Sequence, residues 1–122
     1  MALSLVTCAD RGWTVVSLAG EIDVATAPRL REHLAATRAS AAKIIVDLTD
    51  VGFLDSAGLG VLVGAMKRSR ARGGTVRLVC PCPQIREVLS LTGVAKVFLI
   101  EETVDGAAAG RPVHPEDRPS GG

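Results

Sequence analysis

The chain has 122 residues, 48% of them hydrophobic and only 2% aromatic, with a formal net charge of +1. That length suits one domain around one ordinary hydrophobic core, built here from Val, Leu, Ile and Ala. One Trp, two Phe and no Tyr leave no platform for stacking nucleic-acid bases, and a near-neutral chain has no field to gather nucleic acid or an anionic membrane.

Leu3 to Thr7 and Trp13 to Ala19 have strand composition and are separated by Ala9, Asp10, Arg11 and Gly12, which predicts an antiparallel hairpin with the first strand at a sheet edge. Gly20, Glu21, Ile22 and Asp23 form the exit. Thr26 is a suitable N-cap for a helix reaching about Arg38, with Pro28 in its first turn. Ala27, Leu30 and Leu34 are its apolar face, and Arg29, Arg31, Glu32 and Arg38 its solvated one.

Lys43 to Leu48 reads as a strand buried on both faces through Ile44, Ile45 and Val46. A polar turn follows with Asp47, Thr49, Asp50 and Gly52, Asp47 serving as a loop-fixing carboxylate. Asp55 is a favoured N-cap for a helix from Ser56 to about Arg72. Leu59, Leu62, Val63 and Met66 make its buried stripe, and Lys67, Arg68, Arg70 and Arg72 suit its C-terminal dipole before Gly73 and Gly74 stop it.

Thr75 to Cys80 is a further strand, Pro83 opens a helix with Ile85, Val88 and Leu89 on one face, and Gly93 ends it. Val97 to Ile100 is expected as the last strand and Thr103 to Ala109 as a short helix. The domain is expected over residues 1–109. Residues 110–122 lack periodicity and apolar content, which predicts a disordered tail. Cys8, Cys80 and Cys82 follow no zinc or redox spacing and suit a reducing compartment, and no His or second Cys pair stands near Cys80-Pro81-Cys82 to complete a metal site. No apolar run approaches the ~20 residues of a membrane span, and Met1 to Asp10 is unlike a signal peptide, so a cytoplasmic location is expected.

Strands alternating with helices after a hairpin define an α/β fold: a mixed, mostly parallel sheet of about five strands covered by about four helices. The loops Gly20 to Thr26, Thr49 to Asp55 and Pro81 to Cys82 leave strand carboxyl ends, where open α/β sheets carry ligands, which should bring Asp23, Asp55 and Ser56 together.

Ser56 stands at a helix N-terminus near the surface, without the first Gly of a nucleophile elbow and with the only histidines at His33 and His114, so catalysis is not expected. Gly58, Gly60 and Gly64 follow a strand and open a helix as a nucleotide-binding loop would, but Val63 replaces the third fingerprint Gly and no Gly-Lys-Ser or Gly-Lys-Thr is present. Close helix packing of Gly60 and Gly64 is the preferred explanation. A serine in this place is also a modification target: phosphate would add roughly −1.5 to −2 charges where the helix dipole favours an anion. An ordinary first-turn serine is the alternative that these arguments leave open.

The sequence resembles the STAS-domain anti-sigma factor antagonist family through Gly20-Glu21-Ile22-Asp23, through Ile45-Val46-Asp47-Leu48 and Phe53-Leu54-Asp55-Ser56-Ala57-Gly58-Leu59-Gly60, and through Val88-Leu89, Leu91-Thr92-Gly93 and Val97-Phe98. The resemblance implies a STAS-like single domain and a non-enzymatic regulator of transcription that needs no cofactor and touches neither DNA nor membrane. Unphosphorylated, such a protein binds an anti-sigma factor serine kinase and frees a sigma factor; phosphorylation ends the binding and a serine phosphatase restores it. Ser56 would be the phosphoacceptor, and Asp23, Asp55, Ser56, Ala57 and Gly58 the partner-binding surface. Ala57 replaces the second hydroxyl residue of many relatives, leaving Ser56 the one acceptor in that turn. The alternatives are a small nucleotide-binding protein using the glycine turn, or a STAS scaffold module of a stress-signalling complex.

Overall fold

The computed structural model describes residues 3–109; the expected C-terminal tail lies outside the described residues. The chain forms β1 (Leu3–Asp10), β2 (Trp13–Ile22), α1 (Ala27–Ser40), β3 (Lys43–Leu54), α2 (Ser56–Ala71), β4 (Thr75–Val79), α3 (Pro83–Leu91), β5 (Ile100–Glu101) and α4 (Val104–Ala109). The five strands form one sheet in sequence order. β1 pairs antiparallel with β2, and every later pair is parallel.

The hairpin turns on two residues, because Asp10 pairs with Trp13 and both Arg11 (φ 50°) and Gly12 (φ 85°) take the left-handed conformation that tight hairpins require. Arg11 is held there by Asp10, Nε to Oδ1 at 2.9 Å, and by Asp105 of α4, Nη2 to Oδ1 at 2.6 Å. Both strands thereby run longer than expected, and β2 takes in Gly20, Glu21 and Ile22.

A larger difference lies in β3. The expected polar turn at Thr49 to Gly52 is strand, because β3 continues to Leu54 against the extended end of β2. The register shifts between Ser17 and Ala19, which face Asp47 and Asp50, and between Gly20 and Glu21, which face Val51 and Phe53. Each shift puts one extra residue into β3, a bulge that bends the strand and increases its twist. Asp47 fixes the first of them, its carboxylate accepting from the Thr49 backbone N–H and hydroxyl.

α1, α2 and α3 cover one face of the sheet. Leu18, Ile22, Leu30, Leu34, Ile44, Val46, Leu48, Leu62, Leu78 and Leu89 are fully buried in that core. Among the described residues, the opposite face is covered by α4 alone, where Ala107 packs with Trp13, Val15, Ile45 and Val79. Two cations approach the Trp13 ring there, Arg77 Cζ at 4.7 Å and Lys43 Nζ at 5.4 Å from its centroid. Ile45 thus faces α4 while Ile44 and Val46 face the other helices, as a strand buried on both sides demands.

The last strand is displaced from its expected place. Val94–Lys96 forms a short 3-10 turn after Gly93 (φ 81°), Phe98 is a buried core residue outside any strand, and β5 is only Ile100–Glu101. Cys80, just past β4, is fully buried, and burial pushes its thiol pKa up. Leu62 sits at the centre of the α2 stripe with no exposed surface, so Leu62→Ala should cost about 2 to 5 kcal/mol of unfolding free energy; a urea or guanidinium transition checks this.

Candidate functional site

β2 and β3 end side by side, with Ile22 opposite Leu54 and the Asp55 N–H donating to the Ile22 carbonyl at 3.1 Å. β4 ends much earlier, since its last residue, Val79, pairs with Asp47. The seven residues of β3 beyond Asp47 carry the β2 and β3 exits about 20 Å past it. Of the three loops expected at one edge, two therefore meet: the turn after β2 with Asp23, and the start of α2 with Asp55 and Ser56. The Pro81 to Cys82 loop stays behind near Asp47.

Asp55 is the N-cap of α2. Its backbone is extended (φ −106°, ψ −175°), and Oδ1 accepts from Ala57 N at 2.9 Å and Gly58 N at 3.1 Å. Two of the helix's orphan donors are thus satisfied without help from Ser56. Ser56 is the first helical residue and is exposed; Ala57 is half-buried and Gly58 fully buried.

Asp23 builds the neighbouring turn. Its Oδ1 accepts from Ala25 N at 2.9 Å and Thr26 N at 3.0 Å, and its carbonyl accepts from Ala27 N at 2.8 Å. This corrects the capping role expected of Thr26, which occupies the N-cap position in a right-handed helical conformation with no side-chain cap bond. The Thr26 hydroxyl instead donates to the Glu21 carbonyl at 2.9 Å and accepts from Asp23 N at 2.9 Å. The Thr26 N–H, with smaller contributions from Ala25 N–H and the Thr26 hydroxyl, holds the Asp23 carboxyl below its usual pKa against a smaller opposing effect of desolvation.

The three glycines of α2 do not form a loop. Gly58 is the packed one: a Cβ there would lie 2.5 Å from Ile22 Cγ2 and 2.7 Å from Leu54 Cδ1. Gly60 faces open space, and a Cβ on Gly64 would meet only the flexible end of Arg68, Nη1 at 2.7 Å. Close packing therefore explains Gly58 and not, as expected, Gly60 or Gly64. It also leaves Gly58 as the one residue of the expected partner surface that offers no surface of its own.

Two exposed apolar side chains that were not expected at this surface flank these turns: Val24, 76% exposed, and Phe53, 48% exposed. The bulge at Gly52 separates Val51, which is buried, from Phe53, which stands opposite Glu21. Glu21 itself has one carboxylate oxygen, Oε2, buried without a hydrogen-bond partner among the described residues. The sequence signal for Phe53 was its place in the Phe53 to Gly60 stretch that carries the family resemblance, directly before the Asp55 cap.

A model of the STAS domain matches residues 5–107. The chain belongs to the STAS domain family. This STAS domain is 36% identical over 91 residues to the anti-sigma-B factor antagonist of Bacillus subtilis, an alignment spanning 75% of this chain and 84% of that protein. It superposes with a TM-score of 0.81 on the crystal structure of an anti-sigma factor antagonist from Mycobacterium paratuberculosis, at 33% identity over 87% of this chain and 91% of that one. It also matches the Bacillus cell fate determinant SpoIIAA in its phosphorylated form, with a TM-score of 0.67 and 26% identity over 87% of this chain and 96% of that one. No helix of this STAS domain among the described residues is long and apolar enough to cross a membrane.

Two outcomes test the geometry. Gly58→Ala should lower stability, since overpacking of about 1 to 3 kcal/mol exceeds the gain of about 1 kcal/mol in helix propensity. Gly60→Ala, in open space, should raise stability by about 0.5 to 1 kcal/mol; the two thermal midpoints should move in opposite directions. Because the folded-state pKa of Asp23 is depressed, its contribution to stability is present above the unfolded value of about 3.9 and lost as pH falls through the lower folded value. NMR titration should find the Asp23 midpoint below the ordinary range, and Asp23→Asn should flatten the acid limb of the stability curve in that window.

Proposed function

We propose that this STAS domain is an anti-sigma factor antagonist which, with Ser56 unphosphorylated, binds an anti-sigma factor serine kinase and so releases the sigma factor that the kinase holds. Phosphorylation of Ser56 ends the binding, and a serine phosphatase restores it. The domain acts as a binding protein in the cytoplasm, with no chemistry or DNA contact of its own. The observation that carries this reading is an exposed serine hydroxyl at the first residue of α2, in a turn already capped by Asp55.

That arrangement separates modification from folding. A phosphate on Ser56 would meet a helix N-terminus that favours an anion by about 0.3 to 1 kcal/mol, against repulsion from the adjacent Asp55 and the nearby Asp23. The internal balance is small. A partner surface packed against Val24, Phe53 and Ser56 would instead have to desolvate roughly two new negative charges, a far larger cost. The kinship with proteins named as anti-sigma factor antagonists, and with SpoIIAA solved in a phosphorylated form, supports the same reading.

Incubation with candidate anti-sigma factor kinases and ATP, followed by mass spectrometry, should find one phosphate on Ser56, absent in Ser56→Ala. Ser56→Asp should weaken kinase binding at least tenfold while circular dichroism stays unchanged. A kinase that binds the domain firmly yet leaves Ser56 unmodified would overturn the switch.

A further inference from the structure

The outer edge of β1 is unpaired among the described residues, and nothing in its sequence protects it. Leu3 to Ala9 holds no charged residue and no Pro, and β1 pairs with β2 in unbroken register, without a bulge. Charged side chains, Pro, bulges and brevity are the devices that keep an edge strand from pairing with another chain. The opposite edge uses the last of them, since β5 is two residues long. In β1, Val6 is 60% exposed, and Thr7, Cys8 and Ala9 after it are exposed as well.

The hairpin geometry fixes which backbone groups are free. A two-residue turn closes on a hydrogen-bonded pair, here Asp10 with Trp13, and along an antiparallel strand bonded residues alternate with outward-facing ones. Cys8, Val6 and Ser4 therefore direct their N–H and carbonyl groups to β2, and Ala9, Thr7, Leu5 and Leu3 direct theirs to the open edge. The Leu3 carbonyl is taken, accepting from Arg29 Nη1. Leu5, Thr7 and Ala9 have no outward backbone partner among the described residues. The Thr7 hydroxyl is turned to His33 Nε2 of α1 at 2.6 Å and does not cover the strand's own edge. Thr7 and Ala9 lie on the α1 side of the strand and are exposed, so α1 does not overhang the edge there.

This free set is symmetric about Thr7. A second copy running antiparallel satisfies all of it, with Thr7 opposite Thr7 and Leu5 opposite Ala9 in both directions, whereas a register that brought in Leu3 would cost its bond from Arg29. We propose that the β1 edge is a homodimer interface, in which two copies pair β1 with β1 antiparallel about a two-fold axis at Thr7. The pairing joins two five-stranded sheets into one continuous sheet. Between the bonded residues, Val6 of each copy falls opposite Cys8 of the other, on the face of the sheet away from α1, so each exposed side chain gains a neighbour. One strand per copy buries less than the about 1,200 Å² at which standard interfaces begin, so the dimer is weak and concentration-dependent. Antiparallel pairing points the two β2 and β3 exits in opposite directions. Both Ser56 surfaces stay open, and the inference does not depend on the reading of Ser56.

Sedimentation equilibrium from micromolar to millimolar protein should show monomer and dimer in exchange. Over the same range, hydrogen exchange should slow at the amides of Leu5, Thr7 and Ala9, while those of Val6 and Cys8, already bonded to β2, stay unchanged. Val6→Lys, which sets a charge on each side of the two-fold axis, should raise the dimer dissociation constant at least tenfold; Leu91→Lys, at an exposed apolar site on the end of α3, should leave it unchanged. The register is read by Val6→Cys, whose thiol would stand opposite Cys8 of the second copy with Cβ atoms about 4.5 to 5.5 Å apart, close to disulfide reach. Oxidation by dioxygen with copper phenanthroline should cross-link that variant, peptide mapping should find the bond between positions 6 and 8 of different copies, and adding Cys8→Ser should abolish it. The NMR spectrum of each variant reports that it is folded. A chain that stays monomeric to millimolar concentration, a dimer that protects amides elsewhere, or a position-6 cross-link that survives Cys8→Ser would overturn the proposal.

Discussion

The pairing of β2 with β3 beyond the end of β4 is the constraint on which the rest of this molecule depends. Without it Ile22 would not stand opposite Leu54, the Asp55 N–H would not reach the Ile22 carbonyl, and the turn of Asp23 would not lie beside the start of α2. The pairing survives two register shifts because the buried side chains Ile22, Val51 and Leu54 anchor its far end on the helix-covered face. Gly58 completes the arrangement from above, bringing the first turn of α2 down onto Ile22 and Leu54.

α2 consequently spans the domain with a different chemistry at each end. Its start carries Asp55 and the Ser56 hydroxyl, and its last turns carry Arg68, Arg70 and Arg72. Both choices complement the helix dipole, acidic groups near the exposed N–H donors and basic groups near the exposed carbonyls. The dipole accounts for the sign of charge at each end, and Arg38, in the last turn of α1, follows the same rule.

Much of this was legible in the sequence where the deciding interactions are local. An aspartate before a helical stripe is read as a cap because the bond it makes is to its own next residues, and Leu59, Leu62 and Met66 follow from helical spacing alone. The illegible parts are those settled at long range. Thr49, Asp50 and Gly52 have the composition of a turn, and only the distant edge of β2 makes them strand. Spacing likewise groups Gly58, Gly60 and Gly64, whereas which glycine is packed depends on where Ile22 and Leu54 lie. Arg38, half-buried in the structure, read as solvated because nothing along α1 reveals that the end of α2 stands beside it.

The packing of Trp13 beside Arg77 and Lys43 has a practical side. Trp13 opens β2, ten residues before Asp23, so the only indole of the chain sits about 30 Å from the turn that holds Ser56. It is packed under α4, on the face of the sheet that the other three helices do not touch. Intrinsic fluorescence therefore follows the docking of the C-terminal helix and the melting of the sheet, and is blind to what happens at the amino end of α2. An optical assay of that end needs a fluorophore introduced there, for which the native indole supplies a built-in internal reference.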